Sequence, residues 1–136
     1  CIGFPVEGRA PIILDMATSV VSFGKIWNLA KEGKNMPDGW AINEKGRPTT
    51  DPKRAVALLP LGGYKGYGLA LVIDILSGIL IGDKISKEVR PGQETQGGFL
   101  VEAIDINAFR PYEDYTKDIL NYIDMIKSTS PAEGFT

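Results

Sequence analysis

The stretch that decides the fold is Pro60-Leu-Gly-Gly-Tyr-Lys-Gly-Tyr-Gly-Leu-Ala-Leu71, which holds four glycines and one lysine between Gly62 and Gly68. It runs into an apolar segment over residues 69–81. Glycines in this density allow positive φ and let a ligand approach the backbone closely. A cation at the start of a helix suits an anionic group such as phosphate. The stretch therefore predicts a helix over 66–81, preceded either by an anion-binding loop or by a tight structural turn.

A second informative stretch is Pro11-Ile-Ile-Leu-Asp15-Met-Ala-Thr-Ser19, where a short apolar run ends in an acid. It predicts a buried strand over 10–15 and, with Thr18 or Ser19 as N-cap, a helix over 18–32. Two roles stay open for Asp15 on the residues alone. Its carboxylate could accept backbone N–H bonds at a helix start, or it could bind ribose hydroxyls, as acids do in other dinucleotide sites.

The two stretches together closely resemble the malate/L-lactate dehydrogenase family that lacks a Rossmann fold, through Leu14-Asp-Met-Ala-Thr-Ser19 and Gly63-Tyr-Lys-Gly-Tyr-Gly68. That family also includes ureidoglycolate, sulfolactate and diketogulonate dehydrogenases or reductases. Further pieces match in the family's order: Trp40-Ala-Ile-Asn43 with Pro48-Thr-Thr-Asp-Pro52, Asp74-Ile-Leu-Ser-Gly78, and Ser130-Pro-Ala-Glu-Gly-Phe135. The resemblance covers essentially the whole chain.

The resemblance implies an oxidoreductase that moves a hydride between NAD or NADP and a small 2-hydroxy or 2-oxo acid such as malate or lactate. Ureidoglycolate is the alternative substrate, and a homodimer is the implied assembly. The residues implied to contact the cofactor are Leu14, Asp15, Met16, Ala17, Tyr64 and Lys65. Many family members carry histidine, tryptophan or proline where this chain has Tyr64, so a specific role for that side chain stays open.

The sequence contains no histidine, which removes the commonest general acid or base and the commonest metal ligand. In the resembled family the acid/base histidine lies in an N-terminal part. We therefore expect no catalytic residue here, and no hydride transfer by these 136 residues alone. The expectation is a single domain, residues 1–136, forming the cofactor-binding middle-to-C-terminal portion of a longer dehydrogenase. A non-catalytic ligand-binding or oligomerisation domain is the second hypothesis.

Composition excludes several other classes. The formal net charge is −2 and no basic stripe is visible, so nucleic acid is not an expected partner. Cys1 is the single cysteine, so neither an internal disulfide nor a thiolate metal site is expected. The apolar segment 69–81 is too short to span a bilayer, and no signal peptide is evident. We therefore expect a cytoplasmic protein with no membrane partner. Neither a P-loop nor the Rossmann glycine fingerprint occurs.

The predicted architecture is a mixed α/β (α+β) fold with a mixed, non-Rossmann sheet and about three packed helices, near 18–32, 66–81 and 111–127. Because the middle helix is apolar nearly all round, it is predicted to be central and buried. Residues 82–98 are predicted to form a polar surface loop, and residues 99–106 a strand. Asp74 lies inside the apolar helix, so its carboxylate needs a hydrogen-bonding partner.

Overall fold

The computed structural model describes residues 1–89 and 97–135; part of the predicted loop 82–98 lies outside them. In the described residues the α-helices are α1 (Phe23–Glu32), α2 (Tyr64–Asp74) and α3 (Tyr112–Ser128). The strands are β1 (Ile2–Phe4), β2 (Ile12–Leu14), β3 (Ala41–Ile42), β4 (Pro48–Thr49) and β5 (Ala57–Leu58). Every strand pair among them is antiparallel. The predicted mixed α/β, non-Rossmann fold with three helices is confirmed.

The chain divides into two compact units, one formed by Cys1–Met16 with Glu102–Thr136 and the other by Ala17–Val101. In the second unit, α1 packs on a three-stranded sheet of order β4-β3-β5. Ile26 of α1 is 1% exposed and Ala41 of β3 is fully enclosed. Their cluster includes Val21 and Met36 and is completed by half-buried Leu29, Trp40, Ala55 and Leu58. This cluster is the hydrophobic core of the unit.

The first helix begins later than the sequence predicts. Ser22 caps α1, its side chain accepting from the Lys25 N–H at 3.4 Å. Residues 18–20 are instead paired with the backbone that precedes the glycine-rich stretch, through a bridge between Ser19 and Pro60. Thr18 and Ser19 are therefore not the N-cap: the Thr18 carbonyl accepts from the Leu61 N–H of this pairing, and the Ser19 hydroxyl donates to the Val21 carbonyl at 2.8 Å.

A tight turn joins β3 to β4 and holds the sheet in register. The side-chain oxygen of buried Asn43 accepts from the N–H groups of Lys45 and Arg47, at 2.9 and 3.1 Å. Such an Asx arrangement substitutes for backbone pairing in a turn. Pro48 lies in the edge strand β4, where its missing N–H costs no ladder bond.

The second helix is not the buried central helix that its composition predicts. It begins at Tyr64 and continues beyond Asp74 as a π-helical turn, Ile75–Ile79. Its large apolar side chains are exposed, from 38% for Leu76 to 64% for Ile79. The apolar composition is as predicted, but the surrounding elements that would cover this helix are not found among the described residues.

The first unit combines the β1–β2 hairpin with α3. The Arg9 guanidinium donates to the Asp124 carboxylate at 3.0 Å, and the Tyr115 hydroxyl donates to the Pro5 carbonyl at 3.0 Å. The predicted strand over 10–15 forms as β2, but it is not buried, since Ile13 is 60% exposed. All six residues of the two strands are exposed.

The predicted strand over 99–106 is wrong. Residues 99–105 have no ladder partner among the described residues, and a 3₁₀ turn follows at Ile106–Ala108. The Asp105 carboxylate caps that turn by accepting from the Asn107 N–H at 3.0 Å. The alternating sequence suits a strand, but a strand forms only where a neighbouring backbone supplies hydrogen bonds.

Candidate cofactor site

The glycine-rich stretch folds as a turn that leads directly into α2. The Gly63 N–H donates to the Pro60 carbonyl at 3.1 Å, and Gly62, the third residue of the turn, has φ of +61°. These are the features of a type II turn, which requires a residue that tolerates positive φ at that position. Gly63 also has positive φ, +64°, and stands at the N-cap of α2. The two glycines thus redirect the chain by forming the turn.

The N-terminus of α2 is exposed and positively polarised. Tyr64 is 81% exposed and Lys65 is exposed. Among the described residues, the Tyr64 N–H has no acceptor and the Lys65 ammonium no ion pair. The Lys65 and Gly66 N–H groups donate to the Gly62 and Leu61 carbonyls, so the free Tyr64 N–H and the helix dipole are the groups that favour an anion at this end. A lysine beside them adds a full charge, so this end of α2 fits a phosphate group.

A short backbone ladder ties this turn to the segment that follows Met16. The Val20 N–H donates to the Leu59 carbonyl at 3.0 Å, and the Leu61 N–H donates to the Thr18 carbonyl at 2.8 Å. The Gly66 N–H in turn donates to the Leu61 carbonyl at 2.8 Å. The structure therefore brings the backbone of residues 18–20 against the Lys65 turn, which is the turn of residues 60–63 that leads into the helix carrying Lys65, although more than forty residues separate Thr18 from Leu61 in sequence.

The other sequence-predicted site residues belong to the first unit. Leu14 ends β2, and Asp15 and Met16 follow it. All three side chains are exposed. That Asp15 and Met16 share one cleft with Lys65 stays a prediction.

Asp74 has a partner within its own unit. One carboxylate oxygen accepts from the Ser86 N–H at 2.7 Å, and the other accepts from the Ser86 hydroxyl at 3.1 Å. The predicted need for a hydrogen-bonding partner is thereby met. These bonds fasten the 3₁₀ turn Ser86–Glu88 beside α2. A shallow groove of about 200 Å³ lies here, lined by Tyr67, Ala70, Leu71, Asp74 and Ser86.

The sequence alone does not distinguish the four glycines, so the close backbone packing at Gly66 was not predicted. Gly66 is the buried residue of α2, enclosed by backbone atoms of Leu61 and Thr18. By contrast, a side chain at Gly68 would meet open space. The sequence feature that indicates this packing is a glycine in the first turn of an otherwise apolar helix. Glycine lowers helix propensity there, so its presence suggests a packing reason.

The described residues contain no group of three or more histidine, cysteine, aspartate or glutamate side chains arranged to hold a metal ion. Within the same residues, no helix has the length and apolar character needed to cross a bilayer.

Comparison with known proteins identifies the family. The family model described as malate/L-lactate dehydrogenase matches residues 1–136, the entire chain. The chain belongs to the malate/L-lactate dehydrogenase family. The resemblance drawn from the two glycine- and aspartate-containing stretches is thereby confirmed.

Individual family members are similar over nearly the whole chain. A malate dehydrogenase of Pyrococcus horikoshii is 45% identical over 133 residues, covering 88% of this chain and 36% of that protein. A ureidoglycolate dehydrogenase (NAD(+)) of Escherichia coli O157:H7 is 35% identical over 136 residues, covering 96% and 39%. The solved sulfolactate dehydrogenase of Methanocaldococcus jannaschii superposes with a TM-score of 0.81 at 37% identity, covering 98% and 40%. The chain thus spans about two fifths of these relatives' length.

Proposed function

We propose that residues 1–136 form the cofactor-binding portion of a longer oxidoreductase, similar in length to the relatives named above. The enzyme transfers a hydride between NAD(H) or NADP(H) and the hydroxyl-bearing carbon of a small 2-hydroxy acid. Family membership supports the reaction class. The printed name of the ureidoglycolate dehydrogenase relative supports a nicotinamide cofactor. The observation that carries the proposal is the backbone ladder joining the segment from Ala17 to the turn before Lys65.

The chemistry divides between the cofactor and the protein. A bound nicotinamide cofactor would supply the hydride transfer to or from the substrate carbon. The substrate hydroxyl must lose a proton as the carbonyl forms, and that proton goes to a general base. Because the chain has no histidine, we assign that base to the part of the enzyme beyond these residues. No catalytic residue is assigned within residues 1–136.

The proposed task of this chain is binding and orientation. Lys65 and the free N–H at the start of α2 attract a cofactor phosphate. Leu14, Asp15, Met16 and Ala17 contribute a second wall, in which the Asp15 carboxylate accepts hydrogen bonds from ribose hydroxyls. Exposed Tyr64 adds a flat surface beside the lysine. Holding the cofactor in this way fixes the position of its ring relative to the substrate, which is a large part of catalysis in a two-reactant step.

We assign malate or lactate as the substrate, with ureidoglycolate as the alternative that the Escherichia coli relative supports. A cytoplasmic homodimer is the form in which we propose that the enzyme works. A binding or oligomerisation domain without turnover is the competing proposal, and the missing histidine is the observation that favours it.

The test is an activity assay on the full-length protein that carries this chain. The absorbance of the reduced nicotinamide is followed with malate, lactate and ureidoglycolate, each with NAD and with NADP, and in reverse with the available oxo acids. Turnover with at least one pair supports the proposal and selects both substrate and cofactor. Cofactor binding without turnover would favour the non-catalytic domain, and absence of both would contradict the proposal. Residues 1–136 alone are expected to show no turnover.

A further inference from the structure

Gly66 occupies the tightest point of the backbone around the Lys65 turn. A Cβ placed on it would lie 2.5 Å from both the nitrogen and the oxygen of Leu61, and 2.6 Å from the Thr18 carbonyl oxygen. All three neighbours are backbone atoms, which cannot rotate away as the end of a flexible side chain can. Any residue other than glycine would therefore force two backbones apart.

The atoms crowding Gly66 also carry two hydrogen bonds, one that joins the Lys65 turn to Thr18 and one that joins the turn to the start of α2. The Leu61 nitrogen donates to the Thr18 carbonyl, and the Leu61 carbonyl accepts from the Gly66 N–H, both at 2.8 Å. A shift of a few tenths of an ångström there lengthens both bonds beyond good geometry. The packing of Gly66 and the ladder between the walls are consequently one arrangement.

We propose that Gly66 is a positioning residue, which sets the separation between the Thr18 backbone and the Lys65 turn and so determines how both meet a phosphate-bearing cofactor. This inference rests on the proposed function, because it assigns the cofactor to these two walls. It separates the roles of the glycines. Gly62 and Gly63 shape the turn through positive φ, whereas Gly66 admits the neighbouring backbone.

Three glycine-to-alanine variants of the full-length protein isolate the effect. Gly66→Ala introduces the backbone clash. Gly68→Ala lies two residues further along the same helix, and its Cβ meets open space. Gly78→Ala is the control for lost stability, since its Cβ would lie 3.1 Å from the Lys84 carbonyl, away from the Lys65 turn. Binding of NADH and NADPH is measured by fluorescence titration, Tm by calorimetry, and exchange of the Leu61 amide by hydrogen–deuterium exchange.

The expected pattern is specific to Gly66. Gly66→Ala weakens cofactor binding by about tenfold or more, which corresponds to about 1.4 kcal/mol, and accelerates exchange of the Leu61 amide. It raises KM for the cofactor more than it lowers kcat, because the reacting atoms are not touched. Gly68→Ala leaves the cofactor affinity unchanged. Gly78→Ala lowers Tm but likewise leaves the affinity unchanged, so that lost stability alone does not explain the Gly66 effect.

A second variant keeps the test decisive if Gly66→Ala does not fold. Leu61 is the second residue of the Pro60–Gly63 turn, a position that proline suits in a type II turn. Leu61→Pro therefore preserves the turn but removes the N–H that donates to Thr18. We expect it to weaken cofactor binding with a modest loss of Tm, since the Thr18 carbonyl loses its donor but no backbone clash is introduced.

The outcomes separate this inference from the proposed function. If the unaltered protein binds neither NADH nor NADPH, the proposed function fails, and the positioning role fails with it. If the unaltered protein binds a cofactor and Gly66→Ala, or Leu61→Pro where the alanine variant does not fold, binds it equally well, only the positioning role is overturned. Equal loss of affinity in Gly66→Ala and Gly78→Ala at matched loss of Tm would overturn it too.

Discussion

Helices α1 and α2 are nearly equal in length, ten and eleven residues, yet they relate to their surroundings in opposite ways. Helix α1 is amphipathic and buries Ile26 completely against the three-stranded sheet. Helix α2 is apolar on nearly all sides, and its side chain at Ile73 is 53% exposed. Composition therefore determines that a helix forms, whereas its burial depends on which elements lie beside it.

The largest expected contrast comes from making the same truncation in both helices. Ile26→Ala should destabilise the chain by about 2–5 kcal/mol, because it leaves a cavity in the core. Ile73→Ala in the same 136-residue chain should cost less than about 1 kcal/mol, since the side chain is already half in water. Urea denaturation followed by circular dichroism measures both. Equal losses of unfolding free energy in the two variants would show that α2 is covered in solution and that the two helices do not differ in burial.

The next contrast concerns how α2 is fastened. Asp74→Asn should destabilise the chain by about 1–2 kcal/mol, because hydrogen bonds to a charged carboxylate are stronger than those to an amide. Ser86→Ala removes the hydroxyl donor, and the double variant should lose less than the sum of the two single losses. Strict additivity in this cycle would mean that the hydrogen bond from the Ser86 hydroxyl to Asp74 does not contribute to stability, since the Ser86 N–H still donates to Asp74 in Ser86→Ala.

A smaller effect, of opposite sign, is expected at two open glycines. A Cβ on Gly68 of α2 meets nothing within 4 Å, and a Cβ on Gly24 of α1 meets only the Ser22 hydroxyl at 3.9 Å. Alanine at either position should stabilise the chain by about 0.5–1 kcal/mol through helix propensity. Similar gains in stability, measured as shifts in the urea midpoint, would show that the two helices differ in how far neighbouring elements bury them and not in intrinsic helix stability. A loss at Gly68 alone would indicate a neighbour packed on α2.

The smallest effect is expected at the exposed Glu44–Arg54 pair, whose side chains meet at 2.6 Å. The hydrogen bond from Arg54 lowers the pKa of Glu44 below its usual value of 4.5. The contribution of this pair to stability is therefore present above about pH 4.5, and it is lost as the pH falls through the lowered pKa. Glu44→Gln should flatten the acid limb of the stability curve slightly, and added salt should reduce the difference. A difference of the same size at neutral and acidic pH would contradict this assignment.

The sequence predicted local features better than their surroundings. The helices and the need of Asp74 for a partner follow from periodicity and the cost of an unpaired carboxylate. Burial of α2 and of β2 was predicted wrongly, because it depends on elements that these residues do not supply. The strand over 99–106 failed for the same reason, since strand pairing requires a neighbour.

The candidate site was predictable in a similar, partial way. The Lys65 turn and the segment from Ala17 were identified through family resemblance, and the ladder between them could not be read from either stretch alone. The close packing at Gly66 involves backbone atoms of Leu61 and Thr18, which lie about five and nearly fifty residues away in the chain. Spacing within a single motif carries no information about such an approach.

Cofactor binding by Lys65→Ala in the full-length protein tests directly whether the start of α2 holds the cofactor. Lys45→Ala is the matched control, because Lys45 is also exposed and also precedes a glycine, but lies on the β3–β4 turn. We predict that Lys65→Ala weakens NADH or NADPH binding by about tenfold, or about 1.4 kcal/mol, and that Lys45→Ala leaves it unchanged. Equal affinity in Lys65→Ala and the unaltered protein would contradict a cofactor site at the start of α2.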